Sequence, residues 1–293
     1  MNPYVCAFIA IIGISFSSIF IRWSDAPPLV IAAYRMGLTS LLLLPVAVSV
    51  SRAELKKMSS RQLISLSIVG FMLALHFFFF ISAVKLTTIA NAVILVTSHP
   101  LIVCILSSLF FREPVRHWMI GAFVGFAGVT LIYSGSVGIG EDIGNLLALL
   151  GAIAASMYII SGRVMRQRMG LITYVFIVYS FSSIFLVVAC LITGAPLWPY
   201  PPQELAIFFG LAVVSTIFGH TLFNYSLKYL PATFISVSFL GEPVGATLLA
   251  ALLLGEIPST IAIFGGSLVI IGIMIAALRS RSVLKEGDNS LAH

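Results

Sequence analysis

Ten apolar runs, each about 20 residues long and fenced by a short polar or proline-containing break, govern what this chain can become. They fall near residues 3–22, 28–50, 62–84, 88–111, 117–135, 143–163, 171–193, 203–227, 232–254 and 259–279. Each is long enough to cross roughly 30 Å of hydrocarbon as a helix. Charged residues make up only 9% of the 293, too few to clothe a water-facing surface, where about a quarter is usual. In lipid every backbone amide must pair internally, which leaves helices or a closed barrel. Barrel strands alternate apolar and polar positions, whereas these runs are continuous. The expected fold is an all-α membrane protein of ten transmembrane helices.

Short loops make neighbouring helices antiparallel. If the N-terminus lies inside, thirteen of the sixteen lysines and arginines fall on the inner side, with only Arg22 and Lys85 outside and Arg35 within the second run. That asymmetry is the positive-inside pattern, so both termini are expected in the cytoplasm and the bilayer to be the cell (inner) membrane. It also accounts for the formal charge of +6 without nucleic acid as a partner. The first run lacks a basic leader and a small-residue cleavage site, and is expected to stay as a helix. Cys6, Cys104 and Cys190 lie inside apolar runs with no metal-ligand spacing, so neither metal nor cofactor is expected.

A shift of 143 residues lays the second half on the first. Lys85 meets Lys228, Pro100 meets Pro243 and Glu113 meets Glu256; Asn2, Ser18 and Phe80 meet Asn145, Ser161 and Phe223. Five runs per copy is an odd number, so the second copy enters from the opposite face. The expected organisation is residues 1–140 as one five-helix repeat, 141–281 as its inverted partner around a central cavity, and 282–293 as a cytoplasmic tail. Inverted repeats commonly build transporters, because two related halves can exchange outward-open and inward-open packings.

Several stretches are similar to EamA-type members of the drug/metabolite transporter superfamily: Lys228-Tyr229-Leu230-Pro231-Ala232, Glu242-Pro243-Val244, Leu254-Gly255-Glu256, and a last helix with Gly265, Gly266 and Gly272. Ala33-Tyr34-Arg35, followed by a leucine run to Pro45, resembles the second helix of that family's first repeat. Within the group the chain most resembles the YddG-type amino-acid exporters. The resemblance implies a basket of ten helices around a cavity, with the fifth and tenth set away from it.

Ionisable groups are costly at the bilayer centre, about 2.5–3.5 kcal/mol on insertion scales, so the few present mark either a cavity or a paired site. Glu242, before Pro243, can bind an ammonium group or a proton, or can cap a broken helix. His99 stands at the repeat-related position before Pro100, as a counterpart or as a packing histidine. His76 precedes four phenylalanines, including Phe80; an aromatic pocket is one reading, lipid and helix contact the other. Thr216, His220 and Asn224 recur every four residues, a polar stripe for a cavity or for interhelical hydrogen bonds. Tyr158 is the best cavity candidate of the sixth run, Ser156 and Ser161 being small enough simply to permit close packing. Arg35, two turns inside its run, reads as a structural residue that snorkels or pairs internally. Glu113 and Glu256 are candidate end-caps or gates, and Pro100 and Pro243 the helix breaks. Gly121, Gly125 and Gly128 form a seam for close packing, within one chain or across a homodimer.

An intramembrane enzyme would want paired aspartates, a serine–histidine pair or a zinc-binding helix motif; no aspartate falls inside a run and no zinc-binding spacing occurs, and although serine and histidine are both present, no catalytic residue is assigned. No Walker A sequence is present to support ATP drive. The sequence therefore reads as a secondary transporter or facilitator that exports small amphipathic metabolites by alternating access, amino acids first among them, including aromatic or apolar ones. Organic cations or drugs are the alternative substrates, and an intramembrane enzyme the alternative class.

Overall fold

The computed structural model describes residues 1–87, 89–111, 116–133, 142–254 and 259–290, and every regular element among them is helical. Chain order gives α1 (Pro3–Trp23), α2 (Pro28–Val50), the short α3 (Arg52–Lys56), α4 (Ser60–Leu86), α5 (Ile89–Val96), α6 (His99–Phe111) and α7 (Arg116–Tyr133). The second half gives α8 (Asp142–Arg166), α9 (Leu171–Thr193), and α10 (Pro202–Gly210), which runs through a π-helical segment (Leu211–Thr221) into α11 (Leu222–Ser226). It ends with α12 (Ala232–Ser238), α13 (Gly241–Leu254) and α14 (Thr260–Ser290).

The helix ends follow local chemistry. Asn2 caps α1 by accepting the Tyr4 amide at 2.9 Å, and Pro3, Pro28 and Pro202 stand where no amide partner is needed. Ser59 and Gln62 form a reciprocal capping box at the start of α4. Gly194 ends α9 at φ +67°, a left-handed position that favours glycine.

Eight helical stretches among the described residues are long and apolar enough to cross a bilayer; two more apolar helices, Trp118–Ile132 and Ile263–Ala276, are shorter. This is a multi-pass membrane protein. The expected fourth and ninth spans are each interrupted, at Thr97–Ser98 between α5 and α6 and at Phe239–Leu240 between α12 and α13. Each break falls just ahead of Pro100 or Pro243, so the prolines sit in the first turn of a new half-helix, where a missing amide costs little. Beyond residue 279 the chain stays helical through Ser290, so most of the expected tail continues α14.

The 143-residue offset recurs in three dimensions. Shifting Pro28–Val50 by 143 gives Leu171–Thr193, the bounds of α9; shifting the last residue of α1, Trp23, gives Arg166, the last of α8. The shifted start of α5 is Ala232, the start of α12. Two of the offset-related pairs pack on one another antiparallel. In α2 and α9, Ser40 Oγ lies 2.5 Å from Ser180 Oγ, and a Cβ on Gly37 would come within 3.2 Å of Ser183 Oγ. In α7 and α14, Gly121 meets Gly272 and Gly128 meets Gly265, with a Cβ on Gly121 only 2.7 Å from the Gly272 carbonyl. The glycine seam is thus used within the chain. Such seams matter in lipid, where burial of apolar surface drives no association and close van der Waals contact must hold helices together.

Both breaks are flanked by an offset-related helix. α8 runs antiparallel to α4 and lies along α5 and α6; α1 runs antiparallel to the π-helical segment and lies along α13. The two ends of the bundle are tied alike. At one end Lys85 donates to the Ser24 carbonyl at 2.7 Å, and Ser24 donates to Glu204 at 2.6 Å. At the other, the offset-related pair is joined, with Gln167 donating to the Lys228 carbonyl at 2.8 Å. Near it Glu54 of α3 accepts the Gly170 amide at 2.9 Å and the Thr173 hydroxyl, pinning the start of α9.

Candidate functional site

The interruptions expose backbone and polar side chains toward the middle of the bundle, and there a cavity of about 550 Å³, mouth included, opens between them. Ile14 and Ser17 of α1, Arg35 of α2, and His76, Phe77 and Phe80 of α4 form one part of its wall. Val96, Thr97 and His99 come from the first break, Phe239 and Glu242 from the second, Ala155, Tyr158 and Ile159 from α8, and His220 from the π-helical segment. No described residue of α7 or α14 lines it.

Six of the eight expected binding residues therefore meet in one place: His76, Phe80, His99, Tyr158, His220 and Glu242. Glu242, in the first turn of α13, is only partly buried, and its carboxylate accepts no hydrogen bond from the described residues. His99 opens α6 at the offset-related position, with its Nδ1 3.2 Å from Ser236 Oγ and its ring edge-on to Phe239. His76 donates from Nδ1 to the Gly151 carbonyl at 3.0 Å, which leaves Nε2 as the acceptor. Its ring stacks on Phe80 at 6.2 Å. Of the four phenylalanines, Phe77 and Phe80 are buried at the cavity, while Phe78 and Phe79 are half-buried and do not line it.

Thr216 and Asn224 do not line the cavity. Thr216 accepts from Arg35, and Asn224 donates to Tyr158 Oη at 2.5 Å, to Tyr179 Oη at 3.3 Å and to the His220 carbonyl. A four-residue recurrence assumes α geometry, and here the turn is wider: Thr216 Oγ donates to the carbonyl of Leu211, five residues back. The segment sits where α1 comes closest, since a Cβ on Gly13 would lie 2.8 Å from the Val214 carbonyl and 2.9 Å from the Gly219 amide. Pro100 and Pro243 stand at the two breaks, while Glu113 and Glu256 lie outside the described residues.

Arg35, expected either to snorkel or to pair internally, takes the second course: it turns inward and is 1% exposed. Its Nε donates to Thr216 Oγ and its Nη1 to Ser17 Oγ, each at 2.9 Å, and the guanidinium carbon lies 4.2 Å above the Phe77 ring. Nothing in the α2 pattern announces this orientation, because the partners come from α1 and from a segment 181 residues away. Among the described residues, Arg35 is the only arginine or lysine on the cavity wall and Glu242 the only carboxylate, and no direct ion pair joins them.

The comparisons with known proteins agree with this architecture. The EamA-like transporter family model matches residues 1–134 and again 142–278. An uncharacterized transporter of Archaeoglobus fulgidus is 25% identical over 275 residues, covering 90% of this chain and 93% of that protein. The uncharacterized transporter YwfM of Bacillus subtilis is 28% identical over 270 residues, covering 88% and 86%. A crystal structure that carries no functional name shares the fold, with a TM-score of 0.78 at 20% identity over 96% of this chain and 98% of its own.

Proposed function

We propose that this chain, which belongs to the EamA-like transporter family, is a secondary transporter or facilitator of the cell (inner) membrane that exports small amphipathic metabolites, amino acids first among them. Residues 1–140 and 141–281 act as two inverted five-helix repeats with both termini in the cytoplasm, and alternate access to the cavity between them. The antiparallel packing of offset-related helices, α2 on α9 and α7 on α14, supports this reading. Two identical folds brought antiparallel onto each other are related by an axis lying across the helices, that is, in the membrane plane.

The observation that carries the substrate assignment is Glu242, the sole carboxylate among the described wall residues and one with no described hydrogen-bond donor, on a cavity whose aromatic and aliphatic walls include Phe77, Phe80, Phe239 and Ile159. It takes the substrate ammonium, while Phe80, Phe239 and Tyr158 take the apolar part. Glu242→Gln in proteoliposomes is the test. Exchanging a charged hydrogen bond for a neutral one should slow amino-acid flux about 10- to 100-fold. Undiminished transport at every pH would remove Glu242 from binding. The same acid alone would also suit organic cations, the second reading, which the other pole of the cavity addresses.

A further inference from the structure

We infer that Arg35 is the second pole of the binding site and holds the carboxylate of the substrate, so that the cavity selects zwitterions over organic cations. This inference rests on the transport reading above and narrows its substrate class. The guanidinium has five N–H donors. Thr216 and Ser17 take one each, and the Phe77 face fixes the plane of the group, yet Nη2 is buried with no partner among the described residues. A permanent cation held on three sides, with a buried unpaired fork end in a side chain that lines the cavity, is the arrangement that receives a planar two-oxygen acceptor. Lysine, a point charge on a flexible stem, would give no such preference.

The charge balance points the same way. The described wall carries one fixed positive group and one carboxylate, and they do not pair with each other. A bound cation would answer Glu242 but give Nη2 of Arg35 no acceptor; a bound anion would do the reverse. A molecule with an ammonium and a carboxylate answers both. The apolar part of the same wall, Phe80 and Phe239 among it, accommodates an uncharged side chain.

The test uses the full-length protein, purified in detergent and reconstituted, with matched probes: L-phenylalanine, 2-phenylethylamine, which lacks the carboxylate, and 3-phenylpropionate, which lacks the ammonium. L-Leucine, isopentylamine and 4-methylpentanoate form a second set. In thermal-shift titrations one zwitterion should bind about 10- to 100-fold tighter than either of its truncated analogues, the loss expected for one charged hydrogen-bond pair. Arg35→Gln should erase this preference, weakening the amino acid while leaving the amine unchanged or tighter; a purely structural arginine would weaken both alike. Should Arg35→Gln fail to fold, Ser17→Ala, which frees one side of the guanidinium, should weaken the amino acid more than the amine. Wild-type protein that binds the amines as well as the amino acids overturns the inference. If the amines are then carried across proteoliposomes in a Glu242-dependent manner, the transport reading stands without it; if no probe binds or moves, both fall.

Discussion

Gly265 and Gly266 are adjacent in α14, both buried, and differ almost solely in the space before them. A Cβ on Gly265 would lie 2.6 Å from the Gly128 carbonyl oxygen and 2.8 Å from the Ile132 amide, backbone atoms that no rotamer change can move aside. A Cβ on Gly266 would meet only Val244 methyls, at 3.8 and 4.0 Å, an ordinary contact. Replacing either by alanine raises helix propensity by the same amount, about 1 kcal/mol. That gain cancels when the two variants are compared, and what remains is the cost of forcing α7 and α14 apart, about 1–3 kcal/mol for overpacking. Gly266→Ala should therefore unfold at or above the wild-type temperature in detergent, and Gly265→Ala several degrees below Gly266→Ala. Because no described α14 residue lines the cavity, substrate KM in proteoliposomes should be alike for both. Equal unfolding temperatures for the two alanine variants would refute backbone-to-backbone contact between α7 and α14.

Two further substitutions probe the network around the cavity. Asn224→Leu keeps bulk but removes the amide that serves the Tyr158 and Tyr179 hydroxyls, and should cost about 1–3 kcal/mol in detergent unfolding; unchanged stability would show those hydroxyls to be served otherwise. Lys85→Met removes the donor to the Ser24 carbonyl, so amide hydrogen exchange across residues 24–26 should quicken, and exchange rates equal to wild type would deny the tie any role in holding that end.

The fold was largely legible because its punctuation is chemical. Pro100 and Pro243, recurring at one offset, marked both breaks, and Asn2, Ser59 and Gly194 stand where caps are needed. Site residues were legible at the two breaks, His99 and Glu242, where an interruption brings its neighbours to the cavity, and as the rare polar or aromatic side chains of regular helices, His76 and Phe80 of α4 and Tyr158 of α8. Arg35 and Asn224 were not. The direction of Arg35 is decided by Ser17 and Thr216 on other helices, and the stripe through Thr216, His220 and Asn224 presumed an α turn that Leu211–Thr221 does not have. Periodicity reports which side of a helix is apolar; it says nothing of which distant hydroxyl a side chain will find.

The wide-turned segment has a mechanical consequence. Its bonds reach back five residues where the flanking helix reaches four, so the stretch stores surplus chain between α10 and α11. Releasing a single residue of that slack would spin the part beyond it by about 100°, one α step, carrying the imidazole of His220 off the wall and drawing Asn224 away from the tyrosine hydroxyls. A small change of winding against the bare backbone of Gly13 would thus rewire the cavity without any helix having to tilt.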